Sequence, residues 1–276
     1  MPELPETETI ARDLDVALRG AVIVGAVVHR ADVLREVAPD ELARRTAEVA
    51  IVRVWRRAKL VVLDLASGDR LVVQPRFTGA LLLDEGDLAE RERPYLRVSF
   101  ALADGRQLHY RDIRCLGTLA LMGPDRFAAY VGALGVEPLD PAFTAAHLSA
   151  LVRGSRQAVK KLLQDQRRLV GVGNIYANES LWRARLLPAR SGASLRPAEV
   201  RRLRDAVVGV LEESIALRGT SFRDYVDARG QRGGFVDRLA VYGRAGEPCP
   251  RCGTTLVGTH AIDGRSTVYC PTCQKP

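Results

Sequence analysis

Four of the five cysteines in this 276-residue chain fall in its last 28 residues, as Cys249-x2-Cys252 and Cys270-x2-Cys273 with 17 residues between the pairs. Each pair can sit on a tight turn that aims two sulfurs at one point. Two such turns joined by a hairpin complete a tetrahedral thiolate shell, the arrangement that suits Zn²⁺. A shell of four cysteines leaves no open position, so the metal it implies is structural, one per chain. The tract between the pairs, TTLVGTHAIDGRSTVY, reads as a β-hairpin with Asp263-Gly264 at its turn and Arg265 near the tip. A metal-held tip can present one arginine to a groove, and a solvated Arg265 fits the same tract equally well. Cys115 stands alone and reads as a buried or half-buried thiol without a task.

The rest of the composition narrows the class. Hydrophobic residues make up 47% of the chain, so a packed core is available. Lysine and arginine number 41 against 33 acidic residues, a formal charge of +8. Such a balance suits a polyanionic partner, because cationic side chains displace counterions condensed on a phosphate backbone. The opening MPELPETETI is acidic and lacks the apolar run of a signal peptide. No stretch approaches the roughly 18 uninterrupted apolar residues of a membrane span. A cytoplasmic, nucleoid-associated protein is the expectation.

The periodicity changes along the chain. Thr7 to Gly20 reads as a helix with Ile10, Leu14 and Leu18 on one face. From about Ala21 to Met122 come β-rich runs such as AVIVGAVVH, KLVVLDLA, LVVQ, GALLLDE, LRVSFALA, RQLHY and GTLALM, separated by turn signals, with a short helix over 39–45. Short strands without regular helical crossovers predict an antiparallel sandwich or barrel. After Gly123-Pro124 the pattern is helical, with candidates at 125–131, 144–152, 155–165, 173–184 and 197–218. The reading is an α+β chain: a β-sandwich domain with flanking helices over 1–122, a hinge over 123–143, a helical domain over 144–238 and a finger over 239–276.

The N-terminus carries a chemical possibility. Pro2 and Pro5 with Glu3, Glu6 and Glu8 suit a rigid, acidic start to the first helix. If Met1 is removed, Pro2 also becomes a free secondary amine. A terminal amine titrates near ~8, so a useful fraction is neutral and nucleophilic at neutral pH.

Here the chain resembles a known family. PELPE at 2–6, the run Val170-Gly171-Val172-Gly173-Asn174-Ile175-Tyr176-Ala177-Asn178-Glu179, and the Tyr242-Gly243-Arg244 to Gln274 stretch with its cysteines resemble the formamidopyrimidine-DNA glycosylases, in order and across essentially the whole chain. That resemblance implies a bifunctional DNA glycosylase/AP lyase of base excision repair. It would remove oxidised purines (formamidopyrimidines, 8-oxoguanine) from damaged duplex DNA as a monomer. Its helical domain would be a helix–two-turn–helix. Pro2 would form a Schiff base with C1′ of the damaged nucleotide, followed by β,δ-elimination, with Glu3 as general acid/base. Lys59 matches the lysine that works near the lesion, and Arg265 the finger-tip arginine on phosphate. Lys160 matches a lysine reaching toward the DNA, and Asn174 a phosphate ligand at a helix start. Arg114 matches the arginine that fills the gap left by a flipped base. Residues 219–237 match a mobile segment that closes over that base.

This chain departs from the family at the wedge. Gln74 stands where a histidine near phosphate is usual, Phe77 where methionine is, and Cys115-Leu116 where Arg-Phe is. Phe77 and Leu116 are still apolar and can fill a stack, but the lesion and opposite-base preference shift with them. Endonuclease VIII-type relatives, which act on oxidised pyrimidines, share the architecture, though PELPE favours the oxidised-purine branch. A DNA-binding paralogue weak in catalysis has only the altered wedge in its favour. An RNA-binding zinc ribbon explains the charge and cysteines but not the opening.

Overall fold

A computed structural model describes residues 2–222 and 224–275 and resolves the chain into two compact units. One comprises the residues up to Gly132 together with Ile215–Val236; the other comprises Ala133–Ser214 and the residues from Asp237 onward.

In the first unit, helix α1 (Leu4–Leu18) starts three residues earlier than its apolar period indicates. Pro5 lies in the first turn, where no amide is needed, and Glu3 and Glu6 close a capping box around the start. Ile10, Leu14 and Leu18 lie a turn apart and all enter the core. Strands β1 (Val22–Val28) and β2 (Leu34–Arg35) and helix α2 (Pro39–Thr46) follow. Then come β3 (Val49–Arg57), β4 (Leu60–Leu65), β5 (Arg70–Gln74), β6 (Gly79–Asp84), β7 (Leu96–Leu102), β8 (Gln107–Asp112) and β9 (Thr118–Met122). The strands join in the order β2-β9-β5-β4-β3-β1-β7-β8-β6, with β3 passing from one half of the sheet to the other.

Core side chains come from both halves: Val61, Leu63, Leu71 and Val73 from one, Val98, Phe100, Leu108 and Tyr110 from the other. This is the sandwich expected from the sequence, with one amendment: β2 pairs with β9 in parallel. The other pairings are antiparallel. β4 is buried over nearly its whole length, which is why LVVLDL reads as a continuous apolar run and not an alternation. β3 was not legible as a strand because Arg53, Arg56 and Arg57 interrupt its apolar pattern. Asp64 on the neighbouring strand accepts from Arg53 Nε and, at 3.1 Å, from Trp55 Nε1.

Two stretches sit differently from the domain limits expected of the sequence. Helix α3 (Pro124–Gly132), placed in the hinge, belongs to the first unit. Its Phe127 meets Trp55 edge-on at 5.8 Å between ring centroids, and Arg70 lies over the same ring. Residues 215–236, placed in the helical domain, also return to the first unit: Tyr225 and Ala228 are core residues there, and Leu83 N donates to Ala228 O along the β6 edge at 3.0 Å.

The second unit is built on α4 (Ala145–Val152), α5 (Val159–Gln164), α6 (Asn174–Arg183) and most of α7 (Pro197–Ala216). Phe143, Leu163, Val172, Tyr176, Leu203, Val207 and Leu211 are buried in it. Gly135 is required where it stands, since a Cβ would lie 2.3 Å from the Arg168 carbonyl carbon. The finger adds β10 (Val257–Thr259) and β11 (Thr267–Tyr269), paired antiparallel, with Gly264 at φ +73° in the connecting turn.

Candidate functional site

The candidate residues divide between the two units. In the first, Pro2 and Glu3 are buried, and Glu3 is 1% exposed. The capping box holds them: Glu3 N donates to Glu6 Oε2 at 2.8 Å, and the Glu3 carboxylate accepts from the Glu6 amide. Glu6 has a second task. Its Oε1 accepts from Thr220 N at 2.7 Å, so one carboxylate holds both the N-terminal turn and the root of the returning segment. Gly219, at φ +84°, leaves room for it, because a Cβ would come within 3.0 Å of Glu6 Oε1.

Lys59 is half-buried in the tight β3–β4 turn beside Ala58, whose φ is +55°. Arg56 fixes that turn to α1, donating to Glu8 Oε2 at 2.7 Å and to Ala58 O at 3.1 Å. Burial pushes the Glu8 carboxyl up, but Arg56 and Arg12 outweigh it and hold it below the ordinary value.

Gln74, Phe77 and Arg114 lie on or beside two neighbouring loops. Phe77 is 45% exposed and Leu116 41%, so neither belongs to the core. The Arg114 guanidinium sits over the Phe77 ring, 5.3 Å from its centroid. Half-buried Gln74 accepts from Arg76 Nε at 3.4 Å. Cys115 is half-buried against the core, and its φ is +52°.

The segment over 219–237 combines anchored and open parts. Tyr225, Asp227 and Ala228 are buried, while Phe222, Asp224, Arg229, Gln231 and Arg232 are exposed. Asp227 accepts from Arg218 and from the amides of Arg229 and Gln231.

In the second unit, Lys160, Asn174 and Arg265 converge on the finger loop. Lys160 is not on the surface: it is 0% exposed, and its ammonium donates to Asp263 Oδ1 at 3.2 Å, Thr267 Oγ1 at 2.7 Å and Ser266 O at 3.4 Å. Asn174 opens α6 and donates from Nδ2 to Ser266 O at 2.9 Å. Arg265 is exposed and braced by Gln164, whose Oε1 accepts from its NH1 at 3.0 Å. Gln164, Asp263 and Glu179 were not among the residues picked out from the sequence for a role in the site. Glu179 accepts three consecutive amides, from Ala240, Val241 and Tyr242, at 2.8–3.0 Å. Burial raises its carboxyl, and those amides counter the rise.

The sulfurs of Cys249, Cys252, Cys270 and Cys273 lie within 4.8 Å of one another. Tetrahedral thiolates about 2.3 Å from zinc stand roughly 3.8 Å apart, so the cluster fits the ion with small adjustments. The buried indole N–H of Trp182 lies beside the Cys249 sulfur, and Trp182 packs against the cluster that holds Cys249 and Cys270. Thiolates there would offer it an acceptor.

Comparison with known proteins agrees along the chain. The formamidopyrimidine-DNA glycosylase N-terminal domain matches residues 1–119, the H2TH domain of the same enzymes residues 134–226, and a zinc finger found in these enzymes and in isoleucyl-tRNA synthetases residues 246–276. The chain belongs to the formamidopyrimidine-DNA glycosylase family. Members include a Pelotomaculum thermopropionicum protein, 41% identical over 100% of this chain and 99% of its own, and a Moorella thermoacetica protein, 45% identical over 93% of each. A point mutant of the Lactococcus lactis glycosylase in complex with DNA containing Fapy-dG superimposes with a TM-score of 0.92 at 29% identity, covering 100% of both chains. Its complex with abasic-site DNA gives 0.90 at 30%, covering 99% of this chain and 100% of the other. The chain thus has the α+β fold read from its sequence, and among the described residues its zinc site has one ligand set, Cys249, Cys252, Cys270 and Cys273. Among the described residues no helix is long and apolar enough to cross a membrane.

Proposed function

We propose that this chain removes oxidised purines, formamidopyrimidines and 8-oxoguanine among them, from duplex DNA through a Schiff base on Pro2 and then cuts the strand. The family consists of DNA glycosylases with AP lyase activity that act in base excision repair. The observation that carries the finer reading is the N-terminal capping box, which seats Pro2 and Glu3 at a buried, fixed helix start. Once Met1 is removed, the Pro2 amine attacks C1′, and the damaged base leaves with its bonding pair. The amine nitrogen, now on C1′, loses its proton; the C1′–O4′ bond then breaks, O4′ takes a proton, and the nitrogen lone pair forms a cationic iminium, an electron sink for β- and δ-elimination. Glu3 moves protons at the sugar. Lys59, on a turn tied to α1 through Arg56 and Glu8, works beside the lesion and its phosphate.

Around that chemistry, Arg265 and the start of α6 at Asn174 take phosphates, and Gln74 lies near the backbone of the damaged strand. Lys160 serves the DNA indirectly, by holding the loop that presents Arg265. Phe77, Arg114 and Leu116 fill the gap left by the extruded nucleotide, and 219–237 closes over it. Zinc on the four cysteines fixes the finger fold. The protein acts as a monomer on nucleoid DNA.

Borohydride trapping on a duplex with an oxidised purine tests the reading. Pro2→Gly is expected to lower trapping and nicking by about a hundredfold or more while DNA binding changes by less than about threefold. Wild-type nicking in a folded Pro2→Gly protein would overturn the assignment. A marked preference for oxidised pyrimidines across a panel of duplexes would move the substrate class to that of endonuclease VIII-type enzymes.

A further inference from the structure

Two short loops cross side by side between the halves of the sandwich. One runs from β5 to β6 and carries Phe77; the other runs from β8 to β9 and carries Arg114 and Leu116. Their ends are paired on both sides, Gln74 with Thr118 and Gly79 with Asp112. Each holds one non-glycine residue in the left-handed region, Arg76 and Cys115, both at φ 52°, immediately before its exposed apolar residue. L-residues disfavour that region, so the surroundings must hold them there.

Asp112 supplies the hold. Its carboxylate is 0% exposed and faces no cationic side chain at hydrogen-bond distance among the described residues; its oxygens are filled by the loops. Oδ1 accepts from Thr78 Oγ1 of the first loop at 2.5 Å and from Arg114 N of the second at 3.2 Å. Oδ2 accepts from Gly117 N at 2.8 Å and from the buried Tyr110 hydroxyl at 3.3 Å. Arg114 N also reaches Thr78 Oγ1 at 3.0 Å, closing a ring through both loops. The loops are pressed together: a Cβ on Gly117 of the second would lie 2.7 Å from Gln74 O and 2.8 Å from Pro75 O of the first.

We propose that Asp112 is a positioning residue that makes the two loops one rigid piece, so that Phe77, Arg114 and Leu116 enter the duplex together. This rests on the reading of those three as the wedge. A buried carboxylate with four donors costs little while all are present. Removing its charge weakens every bond in the ring at once and frees the loops to move separately. Bases already unpaired need no wedge, so the effect falls on paired substrates.

The test compares wild type, Asp112→Asn, Thr78→Val and Thr78→Ser on one lesion, placed in a paired duplex and in a single strand. A 2-aminopurine opposite the lesion reports wedge entry by its fluorescence, and a thermal melt reports folding. Asp112→Asn and Thr78→Val are expected to lower the duplex-to-single-strand ratio of excision rates by about tenfold and to slow the 2-aminopurine signal. Thr78→Ser, which keeps the hydroxyl, is expected to restore both. An unchanged ratio in folded Asp112→Asn protein, or an equal loss on both substrates, would overturn the inference. If Asp112→Asn does not fold, the Thr78→Val and Thr78→Ser pair decides: equal ratios in the two would overturn it. Failure of wild type to trap on a duplex containing an oxidised purine would strike the proposed function instead.

Discussion

Lys160 is a cation with no path to water, in a stretch whose sequence advertises the opposite. Arg153, Arg156, Lys161, Arg167 and Arg168 surround it in the chain. Its partner Asp263 stands 103 residues away, beyond the reach of any local pattern. Buried charges persist only when paired, and this pair ties α5 to the finger loop. Arg265 differs: it is exposed, and its brace is a neutral glutamine. Arg265→Ala is therefore expected to weaken binding to lesion and undamaged duplexes by similar factors and to reduce the salt slope by about one. Affinities measured over a salt series decide it, and a loss confined to one lesion would point to base readout. The four cysteines as zinc ligands and the rigid helix start at PELPE, both set by local pattern, were legible in the sequence. Asp112 was not picked out: Tyr110, Arg114 and Gly117 are its near neighbours in sequence, but Thr78, the donor that joins it to the other loop, lies 34 positions away.

Among elements, α1 and most strands were readable because their apolar periods are regular. β3 was lost to its arginines. α3 was readable as a helix over 125–131, but its place in the first unit, like that of residues 215–236, rests on contacts that no local signal encodes. The finger shows how a small element gains rigidity. Its sheet has three residues per strand. Glu179 holds the chain entering it, while Gln274 links Cys270 N and Leu186 O, both at 2.8 Å. Few apolar groups support it, so the metal carries much of its stability. Chelation is expected to abolish DNA binding and open residues 245–275 to protease while a fragment spanning 2–122 stays resistant. Gel analysis after limited digestion checks this, and simultaneous cleavage throughout the chain would contradict it.

At the scale of the whole molecule, stability is tied to pH through ion-paired carboxylates such as Glu199. Glu199, at the start of α7, receives hydrogen bonds from Arg190 and Arg196, which pull its carboxyl well below the ordinary value of 4.5. A carboxyl lowered in the folded state stabilises above its unfolded value and loses that contribution as pH falls through the folded one. The melting temperature of Glu199→Gln is therefore expected to lie below wild type at neutral pH, with the gap closing below about pH 4. A gap that is constant with pH would exclude the linkage.

The return of residues 215–236 to the first unit has a consequence for how the enzyme is made. Ribosomes deliver chains N-terminus first, and domains fold as they emerge. Here the strand Gly79–Asp84 waits for Ala228, and Glu6 waits for an amide 214 positions later. The sandwich emerges early but cannot be finished until the helical unit has been nearly completed. The amine end of the chain is thus the first part synthesised and among the last to be locked, so a prematurely terminated product would lack the contact that seats it.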